Sequence, residues 1–367
     1  MMLPSTLLKN YVFRPEVLAK DEANFCKMVQ GLPSYENHPV VCRARAAGQK
    51  SLVRPLGLYW DGVRYSVHSS FTGFYITDIL SGQKFVSFLL RSEDMCRCGC
   101  RGWCSLFPLV DAWVKDLHEL QSSNQCAVLD IQCDWPAYLE ITGGRFWNHT
   151  DHPCPLCRIS QAEMNPETVP GITLDDLGHE LYTVEDYNND IDKFTKVWNL
   201  TMSMIGNQDT YNLSAKAAES HGLLKFVLWL LHKYSDEFAK QQDDLARKLA
   251  LLTAAAEAAH AMDDVLMLEF RQFTRHHCQM LLQLYLRFLT LYLKAGGVWR
   301  PKCHLLVHMI QRAADRGNPR LYSTYRDESL NGTIAKIARS AHRRTWSNVI
   351  HFKCGIFHQK NLDAYLA

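Results

Sequence analysis

Cys133-Asp134-Trp135-Pro136-Ala137, followed by Gly143-Gly144, His149 and His152 and closed by Cys154-Pro155-Leu156-Cys157, is the stretch on which the reading of this chain turns. Asp134 ends an apolar run, and Pro136 suits the first turn of a new helix. A carboxylate at a strand end points out of the sheet edge, where it is a natural ligand for a hard metal ion. Cys154-x-x-Cys157 has the spacing of the tight half of a zinc site, and His149, His152 or cysteines further upstream are the candidates to complete it. Taken singly, the pieces read as a surface aspartate before a turn and two core cysteines. Taken together they read as a metal-bearing segment.

Upstream, the run Leu56-Gly57-Leu58-Tyr59-Trp60 predicts a strand that turns at Asp61-Gly62. Phe71 to Leu80 predicts a second strand, and Ser81-Gly82 turns it into a third from Lys84 to Leu90, an antiparallel meander whose first strand ends in a carboxylate. Then come Cys96, Cys98, Cys100 and Cys104, four cysteines in nine residues with Gly99 and Gly102 between them. They could wrap a zinc ion, although the C-x-C-x-C-x3-C spacing is tighter than the common zinc patterns. Phe107 to Leu120 has the period of an amphipathic helix. Cys126 to Cys133 predicts a strand with Val128, Asp130, Gln132 and Asp134 on one face and Leu129, Ile131 and Cys133 on the other. Asp130 is the reserve metal ligand and reads otherwise as a solvated position.

Downstream the signals are helical from about residue 186 to 293, and Gly296-Gly297 ends the last of these helices. His304 and His308, four apart, share a helical face. A pair at this spacing could bind metal, but with no acidic residue between them as in a zinc protease a polar helix face is the preferred reading. Gly317-Asn318-Pro319 breaks the chain, and Tyr325 to Ser340 predicts a helix carrying Glu328.

The 367 residues are 47% apolar and 21% charged, enough to build a full core. The net charge of +2 names no partner, but its distribution is uneven. Between residues 163 and 196 nine acids face two lysines, while from Arg300 onward twelve Lys and Arg face four acids. A basic end is compatible with nucleic acid. Thirteen cysteines, an odd number with six in two clusters, suit metal binding in a reducing compartment rather than a disulfide framework. The N-terminus predicts no secretory signal, and the most apolar stretch, Met280 to Leu293, is too short to span a bilayer. The expectation is a soluble intracellular protein without a membrane partner.

The order of elements is meander with a first Asp, helix, strand with a second Asp, long helical block, helix with Glu. This is the order of an α/β (α+β) ribonuclease H-like mixed-sheet core interrupted by a large all-helical insertion, here with a zinc-binding Cys-rich segment. The boundaries follow: 1–50 without a functional reading, 51–160 the first part of the core, 161–300 the helical insertion, 301–345 the part of the core carrying the third acid, 346–367 a tail.

Three motifs in that order resemble the CACTA (En/Spm) and Kyakuja-Dileera-Zisupton transposases. Asp61-Gly62-Val63 with Ser69-Ser70 resembles their first acidic motif, and Asp134-x-Pro136-Ala137 with Gly144, His149 and Cys154-x-x-Cys157 their second. Pro301-Lys302-x-His304, Gly317 and Arg326-x-Glu328 resemble the motif of the third acid. The four-cysteine group at Cys96 to Cys104 is outside that pattern.

The resemblance implies a DDE transposase core that cleaves DNA at transposon ends and transfers the strand. Asp61 would bridge two Mg²⁺ (or Mn²⁺) ions, with Asp134 and Glu328 each completing one site. Arg326, Arg343 and Arg344 would contact phosphates of double-stranded DNA. A nuclear location and a homodimer or higher oligomer go with that activity. The alternative is a domesticated or decayed copy that binds DNA or protein without cutting.

Overall fold

Three runs rich in aromatic and β-branched residues pair into a meander, because each can bury side chains on both faces of a sheet. The computed structural model of the protein describes residues 2–100, 102–133, 154, 156–160, 183, 217–240, 243–268, 271–299, 301–322 and 325–367, with backbone alone at 217–222, 301 and 325–328. Strands β1 (Arg54–Arg64), β2 (Ser70–Asp78) and β3 (Gln83–Arg91) are antiparallel neighbours. Helix α1 (Trp103–Ser122) then leads to β4 (Cys126–Cys133), which lies parallel to β1. The sheet order is β3-β2-β1-β4, so β1 is central.

The turn expected at Asp61-Gly62 falls later. The β1–β2 ladder continues through Asp61↔Gly73 and Val63↔Phe71, and the chain reverses where Tyr65 and Ser66 N–H groups donate to the Ser69 carbonyl. Val63 packs with Phe71 and Tyr65, which extends the strand past its glycine. Gly73 is needed opposite Asp61, because a β-carbon there would collide with the Tyr75 ring.

Helices cover both faces. On one, Leu56, Leu58 and Trp60 of β1 meet Leu106, Trp113, Leu117 and Leu120 of α1, with Leu7, Leu8 and Val12 from the N-terminal segment. That segment, which shows no clear period in the sequence, folds as short helical turns over residues 4–46. On the other face Tyr59, Phe71, Tyr75 and Val86 meet α6 (Tyr325–Ser340) and α7 (Trp346–Leu366). The stretch expected to be a tail is therefore a 21-residue helix against the sheet. The β2–β3 register shifts between Phe74 and Tyr75, and the His358 Nε2 of α7 accepts the Val86 N–H at 3.0 Å.

Strict alternation fails in β4. Leu56 pairs with Val128 but Gly57 pairs with Asp130, so Leu129 is bulged. Val128 and Cys133 therefore both face α1, while Ala127 and Leu129 join a separate cluster with Val40, Val41 and Ala44. Asp130 is not solvated: it is 3% exposed and its Oδ2 lies 2.6 Å from the Arg271 guanidinium, itself 2% exposed.

From residue 217 on the helical signals correspond to α2 (Ala217–Lys233), α3 (Asp243–Leu266) and α4 (Arg275–Lys294), the last ended by Gly296 at φ +93°, while 186–216 lie outside the described residues. Phe273 and α4 share a core with Ile310 and Ala313 of α5 (Pro301–Arg316). The fold is thus mixed α/β, with a four-stranded mixed sheet, many helices and a Cys-rich cluster. Among the described residues no helix is long and apolar enough to cross a membrane.

Candidate metal centres

Two thiols and two imidazoles meet in the interior: Cys154, Cys157, His304 and His308, all buried, with their ligand atoms within 4.8 Å of one another. The Cys157 Sγ lies 3.3 Å from each Nε2, and the two Nε2 atoms are 3.0 Å apart. Zinc–sulfur and zinc–nitrogen bonds of about 2.3 and 2.0 Å, in a tetrahedron, put ligand atoms roughly 3.3 to 3.8 Å apart. The spacing fits. The i, i+4 separation on α5 stacks the two rings on one face. The His308 Nδ1 is 2.9 Å from Gln311 Oε1, a contact that makes Nδ1 the protonated nitrogen and turns the Nε2 lone pair inward. Leu156 N–H donates to the Cys154 sulfur at 3.3 Å, and Ile159, Leu156, Trp299 and Leu305 enclose the group. The hydrogen bond from Cys157 holds the Cys154 thiol far below its ordinary pKa despite burial, which pushes it up; His304, His308 and the Leu156 amide lower it further. A cation would balance such a buried cluster of thiolate and imidazole donors.

This corrects the sequence reading. His304 and His308, read as polar surface, are 6% and 1% exposed. They, and not the upstream cysteines, meet the Cys pair. His149 and His152 lie outside the described residues. A signal for the pairing existed: two half-sites, C-x-x-C and H-x3-H, each lacked two ligands.

The upstream cysteines form their own group. Cys96 Sγ lies 2.9 Å from Cys100 Sγ and 3.5 Å from Cys98 Sγ, and Cys98 Sγ lies 3.7 Å from Cys104 Sγ. Gly99 (φ +93°) and Gly102 (φ +87°) give the loop its tight wrap. The Cys104 N–H, in the first turn of α1, donates to Cys100 Sγ at 3.2 Å. That bond and the neighbouring thiols bring the Cys100 pKa down to about 6, while Cys100 above all pushes Cys104 up to about 12. Four exposed or half-exposed thiols so arranged could hold zinc.

The third arrangement surrounds Asp61. The Tyr59 hydroxyl donates to Asp61 Oδ2 at 2.8 Å, and Asn331 Nδ2, from α6, donates to the same oxygen and to the Tyr59 hydroxyl, each at 2.9 Å. Trp60 and Cys133, the residues before Asp61 and Asp134, are Cα partners at the parallel β1–β4 edge. Asp134 itself lies outside the described residues, as do the side chains of Glu328 and Arg326. Glu328 is in the first turn of α6, three residues before Asn331. Leu330, Ile334 and Ala338, at helical spacing, seat α6 on Tyr59, Phe71 and Tyr75. Arg343 and Arg344 are exposed in the short turn Arg343–Thr345, with the Arg343 Nε 3.3 Å from a Glu93 oxygen. Tyr59, Asn331 and the Asp130–Arg271 pair carry no sequence motif; only the fold brings them together.

Comparison with protein-family models, curated proteins and solved structures finds no match to this chain.

Proposed function

We propose that the chain is the catalytic core of a DDE-type DNA transposase, a ribonuclease H-like nuclease interrupted by a helical insertion and tied by zinc. The observation that carries this reading is the hydrogen bond from Asn331 to Asp61, which brings the helix of Glu328 back to the strand of Asp61 across 270 residues. The sheet order supports it too: a central β1 flanked by antiparallel β2 and parallel β4 suits a core whose first two acids leave adjacent strands.

Asp61, Asp134 and Glu328 would hold two Mg²⁺ (or Mn²⁺) ions. The half-buried Asp61 carboxylate, on β1 next to the Trp60–Cys133 pair with β4, is a hard oxygen donor and fits that demand. Such a pair, when bound, supplies activation of the attacking oxygen and stabilisation of the leaving one. The chain's part is to fix the carboxylates before the phosphodiester arrives. Arg326, Arg343 and Arg344 would grip phosphates without reading sequence, on double-stranded DNA in the nucleus, with a homodimer or higher oligomer pairing the ends. Zinc would sit at Cys154, Cys157, His304 and His308, linking the chain just after β4 to α5.

The test is metal-dependent nicking of supercoiled DNA by the purified chain against Asp134→Asn. Wild-type nicking in Mg²⁺ or Mn²⁺ that Asp134→Asn abolishes is the expected result. Equal activity in both, or none in either, removes the catalytic reading.

A further inference from the structure

We infer that Asn331, acting with Tyr59, is the positioning residue for Asp61, locking the carboxylate's rotation and the register of α6 so that a divalent cation meets a preformed site; this rests on the nuclease reading above. Asn331 is 4% exposed and its amide bridges two partners on another element. The Tyr59 hydroxyl accepts from Asn331 Nδ2 and donates to Asp61 Oδ2, while the second Nδ2 proton goes to that same oxygen. The three side chains close a ring. Two donors converging on Oδ2 fix the plane of the carboxylate, and with it the direction of Oδ1, without neutralising the negative charge that attracts a cation.

Packing does not require this residue. Leu330, Ile334, Ala335 and Ala338 already fasten α6 to the sheet by apolar contact. Instead the site holds an asparagine whose amide is spent on Tyr59 and Asp61 of β1. Position 328 lies one helical turn before Asn331, so the bond that orients Asp61 also sets how far the helix bearing the third acid slides along β1.

The experiment uses the full chain with Mn²⁺ as probe. Binding is read directly by calorimetry and electron paramagnetic resonance, and nicking is titrated against Mn²⁺ in parallel, for wild type, Asp61→Asn, Asn331→Leu and Tyr59→Phe. Asn331→Leu is expected to weaken Mn²⁺ binding about 10- to 100-fold, the range for loss of a group that orients a ligand. Tyr59→Phe, which keeps the ring, should weaken it less. Nicking by both variants should return at high Mn²⁺, with the maximal rate within about twofold of wild type, a split that a general loss of structure would not give.

Wild-type affinity in Asn331→Leu and Tyr59→Phe, with Asp61→Asn still weakened, overturns the positioning role and leaves the nuclease reading standing. Should Asn331→Leu fail to fold, the Tyr59→Phe titration decides in the same way. Mn²⁺ binding that Asp61→Asn does not alter overturns both readings together.

Discussion

Replacing His308 by alanine should take one zinc ion from the protein and loosen the whole helical block. The Cys157–His304 contact closes a loop of 147 residues. In the chain-entropy treatment of cross-links a closure of that length is worth about 5 kcal/mol. Spread over the unfolding entropy of a 367-residue chain, that corresponds to a drop of about 6 °C in Tm. The assay pairs elemental analysis of purified protein with thermal unfolding, with and without a high-affinity zinc chelator. Wild type should carry two zinc ions, His308→Ala one, Cys98→Ser with Cys104→Ser one, and the combination none. Only the His308 change should move Tm by the full amount, because Cys96 to Cys104 closes a loop of eight residues. Wild-type zinc content and Tm in His308→Ala would refute the assignment.

Arg271→Met leaves the Asp130 carboxylate buried without its partner and should cost about 3 to 5 kcal/mol in urea unfolding. Adding Asp130→Leu should recover most of the loss, and a single change within about 0.5 kcal/mol of wild type would sink the idea that the pair is buried. His358 gives a pH dependence of defined sign. Burial, with a smaller contribution from His351, brings its pKa down to about 4, so the folded protein keeps it neutral and accepting from Val86. The unfolded chain takes that proton near its ordinary value of 6.5. Stability is fully present above pH 6.5 and falls as pH drops toward 4, by up to about 3 kcal/mol. His358→Gln, which keeps an acceptor, should flatten that part of a stability–pH profile; an unchanged slope would count against it.

The strands were legible because β1 to β4 carry apolar and aromatic runs bounded by Gly, Ser and Asp. The turn at Asp61-Gly62 was misplaced because a strand continues wherever its partner keeps pairing, and Val63 had Phe71 opposite. The bulge at Leu129 left no mark in the sequence, so a strict period of two put Val128 on the face of Asp130. His304 and His308 looked solvated because two polar residues on one helix face say nothing of a thiol pair 147 residues away. α7 was missed because its buried row, Trp346, Ile350, Cys354, His358 and Leu362, has a histidine in it while the opposite side exposes Phe352 and Ile356. Those two outward residues blur the apolar stripe.

The position of α7 also governs the order in which a ribosome-borne chain can finish folding. The four strands among the described residues are made by residue 133, yet α6 and α7, which cover Tyr59, Phe71, Tyr75 and Val86, run from residue 325 to 366. At about 5 to 20 residues per second, the 192 residues from 133 to 325 take roughly 10 to 40 s to synthesise. Throughout that interval the aromatic sheet surface is without α6 and α7, a substrate for chaperones and for aggregation alike. Expression from truncated genes, or with tags that hinder the final helix, should therefore fail in solubility before it fails in any chemistry.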